Sequence, residues 1–138
     1  EAFFYTNIMD FKEYSMFDKS LCPLIIQENL HPKIDYRVTV VGNYVYTVKI
    51  VINDVGINGD WRKQKENISF VPIQLPSDIE EKCLLLMRKF DLLFGGIDLI
   101  LHNEKIYFIE VNPTGEWAWL VDKAEQKIYE GIADVLCS

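Results

Sequence analysis

Two apolar runs in the last third of the chain are each interrupted by residue types that strands disfavour. The first is Phe94-Gly-Gly-Ile-Asp98-Leu-Ile-Leu, the second is Ile106-Tyr-Phe-Ile-Glu110-Val-Asn112-Pro, and a short polar turn joins them. Asp and Asn are depleted in strands, and an unpaired carboxylate is costly to bury. The pattern therefore predicts a β-hairpin whose acidic residues are neutralised by a cation.

The register of this hairpin decides whether its polar side chains can act together. Glu110 and Asn112 lie two residues apart, so a strand places both side chains on one face. Asp98 reaches that face if it lies opposite Glu110, which requires a three-residue turn, Asn103–Lys105, or a β-bulge. The three side chains would then suit Mg²⁺, which combines a few carboxylates with substrate phosphates. The alternative is a solvated Asp98 at a sheet edge and a Glu110 that merely ends a strand.

The remaining pattern indicates an α+β fold with a mainly antiparallel sheet and helices packed on one side. Gly42-Asn43 separates two β-branched, aromatic runs and predicts a two-residue hairpin turn. Helical spacing predicts one helix from Ser77 to about Phe90 and a last helix that begins near Asp122. Because hairpins rather than long crossovers link the strands, we expect them to run antiparallel. The length of the chain suits a single domain over residues 1–138.

Composition excludes several classes of function. The net charge of −7 argues against a general nucleic-acid binder, and the 49% hydrophobic content argues against disorder. The sequence contains no run of roughly 18 apolar residues, so no membrane span is predicted. The three cysteines form no CxxC pair, so a zinc site is unsupported and free thiols in a reducing cytoplasm are expected.

Several other residues could carry chemistry. Asp35 and Arg37 alternate to one strand face, where Arg37 could neutralise a phosphate or form an ordinary cross-strand ion pair. Arg62 lies in a polar loop and could reach a phosphate or face water. The segment Leu24-Ile-Ile-Gln27-Glu28 is predicted as a buried strand, and its end could read a purine edge. Trp117 and Trp119 could receive a partner peptide or belong to a core or lid.

These segments together resemble the C-terminal part of an ATP-grasp ligase, over residues 3–136. The two interrupted runs resemble the metal-binding signature of that family. Ile26-Gln-Glu28-Asn-Leu resembles its adenine-binding hinge, and Ile34-Asp35-Tyr-Arg37-Val-Thr-Val-Val-Gly42 resembles the strand that follows the hinge. Asp60-Trp61-Arg62 and Asn112-Pro-Thr-Gly-Glu-Trp117 resemble ligases that cyclise ribosomally made peptides of the microviridin (graspetide) type. Glutamate ligases that modify ribosomal proteins are the nearest alternative.

The resemblance implies an ATP- and Mg²⁺-dependent ligase that phosphorylates a peptide carboxylate before a hydroxyl or amine attacks it. Its partner would be a precursor peptide, with a homodimer possible and neither nucleic acid nor membrane involved. The implied roles are metal binding by Asp98, Glu110 and Asn112, adenine binding by Gln27, Glu28 and Leu30, ribose contact by Asp35, and catalysis by Arg37 and Arg62.

The resemblance also implies parts that this sequence lacks. The family uses an N-terminal domain, a Gly-rich loop and lysines that precede the hinge. We therefore expect the chain to be the C-terminal portion of such a ligase and to be inactive alone. The competing hypothesis is a non-catalytic peptide- or nucleotide-binding module.

Overall fold

A computed structural model describes residues 6–16, 18, 20, 25–64 and 66–137. Within these residues the chain forms six strands, four α-helices and one 3₁₀ turn. In chain order they are α1 (Phe11–Met16), β1 (Ile34–Val41), β2 (Tyr44–Ile52), β3 (Val55–Gly56), the 3₁₀ turn Trp61–Lys63, β4 (Ile68–Ile73), α2 (Ser77–Lys89), β5 (Phe94–His102), β6 (Lys105–Asn112), α3 (Ala118–Ala124) and α4 (Ile128–Cys137).

The strands form one antiparallel sheet with β1 at its centre. β1 lies between β2 and β5, β6 pairs with the other edge of β5, and β2 also pairs with β3 and β4. The predicted hairpin is confirmed, because Val41 pairs with Tyr44 across a turn in which Gly42 has a φ of +57°. The antiparallel α+β fold predicted from the sequence is likewise confirmed.

One face of the sheet is apolar and is covered by α2. Val38 and Val40 from β1 and Ile97 from β5 are fully buried and pack in one cluster with Cys83 and Met87 from α2. The helix ends within one residue of the predicted boundary. Burial raises the pKa of the Cys83 thiol to about 11. This cluster is the main hydrophobic core.

The opposite face is partly covered by α3 and α4, which differs from the expectation of helices on one side. Val41 and Val48 point away from the α2 cluster and pack with Leu120, Ala124 and Ile128 from these helices. The predicted single last helix is divided, because Glu125 ends α3 in the left-handed conformation. Within the described ranges, no helix has the length and apolar character needed to cross a bilayer.

The two tryptophans that the sequence left open belong to this second cluster. Trp117 and Trp119 are half-buried and pack against its core. Trp119 also contacts Phe70 and Trp61, at ring-centroid distances of 4.8 and 6.0 Å. The core alternative is therefore correct for both residues.

Candidate functional site

The β5–β6 hairpin contains the predicted β-bulge. Its turn is the two-residue Asn103-Glu104, so the three-residue turn was wrong. Beyond the turn, Leu99 pairs with Phe108 whereas Asp98 pairs with Glu110, which leaves one extra residue on β6. This shift restores the register that a two-residue turn would have lost.

The bulge brings the three predicted oxygen donors to one face of the sheet. Asp98 lies opposite Glu110, and Gly96 lies opposite Asn112 on the next position of the same face. Glu110 and Asn112 are exposed, while the Asp98 side chain is 32% exposed. The face is the one opposite α2, and it is open to solvent at these residues.

Arg37 joins this face from β1, where it pairs with Asp98 across the strands. Its Nη1 donates to both carboxylate oxygens of Asp98, at 3.0 and 3.1 Å, and its Nη2 donates to the carbonyl oxygen of Glu116 at 3.4 Å. The Arg37 side chain is only 11% exposed. The cross-strand ion pair therefore exists, and it joins two of the predicted site residues.

Asp35 lies two residues before Arg37 on the same strand face and pairs with Lys33. Both side chains are largely buried. Burial raises the pKa of the Asp35 carboxyl, the nearby carboxylates of Asp98 and Asp60 raise it further, and Lys33 lowers it without reversing the shift. Lys33 was missed by the sequence reasoning, although its position two residues before Asp35 is the signal that could have found it.

Arg62 is fixed by a buried neighbour rather than left free in a loop. Its Nε and Nη2 donate to the two carboxylate oxygens of Asp60 at 2.9 and 2.8 Å. Asp60 also accepts from the backbone N–H groups of Arg62 and Thr6. Burial raises the pKa of Asp60, but these hydrogen bonds outweigh it and hold the pKa below its ordinary value.

The charge of Arg62 is coupled to the predicted metal ligands. Asp60 is the main cause of its raised pKa, and the carboxylates of Glu110 and Asp98 raise it further. Its side chain is 55% exposed. An open cavity of about 670 Å³ adjoins it, lined among others by Trp61, Phe70 and Lys123. Arg62 thus lines a space large enough for a ligand and interacts electrostatically with the acidic face.

The predicted adenine segment differs from its expected structure. Residues 25–30 form no strand, and Ile25 is 91% exposed, so the buried strand is wrong for these residues; Leu24 lies outside the described residues. Gln27 and Glu28 are exposed and Leu30 is half-buried. The segment leads through the cis peptide His31-Pro32 into β1. The apolar residues Ile25 and Ile26 led to the prediction of burial, but both are exposed.

The donor set suits a hard cation that receives further ligands from elsewhere. The Asn112 side-chain oxygen accepts from the backbone N–H of Thr114 at 3.1 Å and from its hydroxyl at 3.3 Å. Across the described ranges, no three His, Cys, Asp or Glu side chains are grouped to hold a metal ion. Asp98, Glu110 and Asn112 offer two carboxylates and one amide oxygen. A cation bound by them would have further coordination positions for phosphate oxygens or water.

The sequence profile of the ATP-grasp domain matches residues 3–114, most of the chain. The chain belongs to the ATP-grasp family. The match includes every residue that the sequence analysis placed in the site.

The chain is similar to solved structures of ATP-grasp ligases that contain bound precursor, leader or core peptides. A RiPP-associated ATP-grasp ligase from Chryseobacterium gregarium, solved with ADP and with leader and core peptides, is 34% identical, with a TM-score of 0.82 over 97% of this chain and 42% of that one. The macrocyclase MdnC from Microcystis aeruginosa MRC, bound with precursor peptide MdnA, is 33% identical, with a TM-score of 0.62 over 75% of this chain and 33% of that one. The predicted resemblance is confirmed.

A third ligase shares the fold at lower identity. PsnB, solved with a minimal precursor, is 20% identical, with a TM-score of 0.67 over 80% of this chain and 35% of its own. The chain therefore spans less than half the length of the ligases that it matches. Curated protein sequences give no match.

Proposed function

We propose that this chain carries the magnesium- and nucleotide-binding face of a ligase that activates a side-chain carboxylate of a ribosomally made precursor peptide. The single observation that carries the proposal is the register shift between β5 and β6. It places Asp98, Glu110 and Asn112 on one face, beside Arg37. Family membership supports the proposal, and so does the likeness to a ligase solved with ADP and with leader and core peptides.

The residues on this face fit Mg²⁺ by their chemistry. Asp98, Glu110 and Asn112 offer oxygen atoms only, which is the ligand type that Mg²⁺ prefers. Their number is small, as expected for an ion that completes its shell with phosphate oxygens and water. Asp98 keeps free lone pairs beside those that accept from Arg37, so it can serve both a metal and the guanidinium.

The nucleotide would lie along the same face. Gln27 and Glu28 are exposed and Leu30 is half-buried, so this segment is accessible to an adenine ring. Asp35 retains acceptor capacity for a ribose hydroxyl, because a carboxylate has more lone-pair sites than its contacts with Lys33 use. These assignments extend the site from the metal ligands towards the start of β1.

When bound, Mg-ATP supplies a phosphoryl group that turns a carboxylate oxygen into part of a leaving group. Arg37 and Arg62 would stabilise the negative charge of the phosphates and of the acyl phosphate. Arg37 is largely buried and paired with Asp98, whereas the half-exposed Arg62 faces the open cavity. A peptide hydroxyl or amine would then attack the acyl carbon and lose its proton, and phosphate would depart, which leaves an ester or an amide.

The cavity beside Arg62 supports a peptide substrate. Its walls combine the aromatic rings of Trp61 and Phe70 with the cationic groups of Arg62 and Lys123. Such a mixture can hold an apolar side chain and orient a carboxylate. The reacting carboxylate would therefore approach the metal-binding face from this side.

Calorimetry with Mg-ADP tests the nucleotide assignment on this chain. Glu110→Gln removes one ligand charge, and we expect it to weaken Mg-ADP binding by about tenfold or more. Glu104→Gln makes the same change in the exposed turn of the same hairpin and should leave affinity unchanged. Equal affinity of wild type and Glu110→Gln would refute the metal role.

Mass spectrometry tests the ligase assignment on the natural enzyme. Incubation with its precursor peptide and Mg-ATP should yield a product lighter by one water for each bond formed. Release of ADP and phosphate without loss of water from the peptide would contradict the proposed reaction.

A further inference from the structure

The guanidinium of Arg37 lies in a slot lined by two glycines. A Cβ atom built on Gly96 would lie 2.5 Å from Arg37 Nη2, 2.6 Å from Cζ and 3.1 Å from Nε. A Cβ atom built on Gly115 would also lie 2.5 Å from Nη2. Both distances are shorter than van der Waals contact, so neither position can hold a side chain while Arg37 stays in place.

The backbone does not explain these glycines. Neither Gly96 nor Gly115 adopts the left-handed conformation that favours glycine elsewhere in the chain, for example at Gly42 and Gly59. Both residues are buried. At Gly96, the arginine side chain occupies the space that a Cβ atom would need. At Gly115, a Cβ atom would meet the arginine and would also lie 3.3 Å from the backbone atoms Asn112 O and Gly96 N.

Hydrogen bonds alone do not fix the orientation of the guanidinium. Nη1 bonds to Asp98 and Nη2 makes a long contact to Glu116, but the buried Nε has no hydrogen-bond partner among the described residues. The orientation of the guanidinium therefore depends on packing against the two glycines as well as on the hydrogen bonds to Asp98. Arginine stays protonated in proteins, so the interactions of Arg37 depend on where its guanidinium lies.

We propose that Gly96 and Gly115 are positioning residues that hold the Arg37 guanidinium against Asp98 and towards the metal-binding face. This inference rests on the proposed function for its consequence, but the placement of Arg37 can be tested without any ligand. The two glycines act through Arg37 and would not touch nucleotide or peptide.

The adjacent glycine provides a matched control. Gly95 lies on the same strand but faces the apolar core, where an added Cβ would meet the flexible end of Met87 at 2.8 Å. Gly95→Ala and Gly96→Ala therefore add the same methyl group one residue apart on opposite faces. Their comparison separates an effect on Arg37 from a general effect on β5.

Arginine side-chain NMR reads the position of Arg37 directly. The chain has three arginines, so three Nε–H signals are expected, and Arg37→Lys assigns one of them. The buried Arg37 Nε–H should exchange slowly with water. Gly96→Ala should shift that signal and speed its exchange by at least tenfold, whereas Gly95→Ala should not. An unchanged Arg37 signal in Gly96→Ala would overturn the proposal.

A double-mutant cycle keeps the test valid if Gly96→Ala folds poorly. Gly96→Ala should lower the melting temperature of the wild type but not that of Arg37→Ala, because the slot is then empty. An equal loss in both backgrounds would show that the added methyl group acts elsewhere and would refute the contact.

The functional consequence is measured separately. In the natural enzyme, Gly96→Ala should reduce kcat by about 10- to 100-fold, as small misplacements of a charged group do, while Gly95→Ala leaves it unchanged. If the wild type neither binds Mg-ADP nor turns over, the proposed function fails and the NMR comparison still decides the positioning role. If the wild type is active and kcat of Gly96→Ala is unchanged, the positioning role fails alone.

Discussion

The two faces of β1 and β5 are built from alternate residues of the same strands, yet they differ in polarity and burial. On the α2 face, Val38, Val40 and Ile97 are fully buried and apolar. On the other face, Arg37 and Asp98 form an ion pair beside exposed Glu110. The first face supplies stability through burial. The second face does so only where Val41 packs against α3 and α4, and around Arg37 it keeps charges whose desolvation is costly. This contrast predicts that stability and ligand binding respond to different faces.

The largest effect on stability should come from the apolar face. Ile97→Ala removes a fully buried side chain from the α2 cluster, and we expect it to lower the free energy of unfolding by about 2 to 5 kcal/mol. Chemical denaturation measures this. Ile100→Ala, the same change on a half-buried position of the other face, should cost clearly less. Equal losses would break the proposed division between the faces.

Asp60→Asn should have the next largest effect, because it disturbs a buried carboxylate that anchors Arg62. We expect a loss of about 1.5 to 3 kcal/mol at pH 7, the range for hydrogen bonds to charged groups. The pKa of Asp60 is lowered on folding, so its contribution is present above the ordinary carboxyl pKa of about 4 and is lost as pH falls through the lowered value.

The pH dependence sharpens this prediction. The difference in unfolding free energy between wild type and Asp60→Asn should be constant near neutrality and shrink below about pH 4. Asp54→Asn makes the same change at a carboxylate that is 84% exposed, and it serves as the control. A difference that grows on acidification would contradict the lowered pKa of Asp60.

Arg37→Met should change stability less than either substitution, by about 1 kcal/mol in either direction. The methionine keeps the apolar stem, the loss of the ion pair is offset by removal of a buried Nε that has no partner, and Asp98 is exposed enough to be hydrated. Thermal denaturation measures this, with Arg88→Met at an exposed position of α2 as the control. A loss above about 3 kcal/mol would mean that the pair stabilises the fold.

Sequence periodicity was sufficient to predict which residues form the apolar face, but it predicted the charged face only in part. Alternation in β1 and β5 determines which residues are buried, and Gly42-Asn43 has the turn chemistry that its hairpin needs. The shared face of Asp98 and Glu110 depended on a register that turn length alone did not decide. Asn103-Glu104 forms a two-residue turn although Glu is unusual at positive φ, and a bulge nearer the site corrects the register.

The remaining errors have tertiary causes. Ile25 and Ile26 are apolar enough for a buried strand, but no strand of the described sheet pairs with residues 25–28. The last helix is divided because Glu125 turns the chain so that Leu120 and Ile128 reach the same cluster. The slot around Arg37 depends on contacts between β1, β5 and the loop after β6, which no local pattern encodes.

The smallest effect, and the most specific one, is expected from Asn112→Asp. Asp can accept the same hydrogen bonds from Thr114, so the local turn should persist. The added charge lies beside Glu110 and Asp98, and in EDTA it should lower stability by roughly 0.5 kcal/mol through like-charge repulsion. Magnesium should reverse this loss, because a cation bound between the three carboxylates removes their repulsion.

Thermal melts with EDTA and with MgCl₂ measure the reversal. Asn103→Asp makes the same change in the exposed turn of the hairpin, away from the charged face, and should not respond to magnesium. A response confined to Asn112→Asp would locate the cation at the face that the bulge creates. If both variants respond alike, magnesium is acting through general screening of a chain with a net charge of −7, and the three oxygen donors do not form a site.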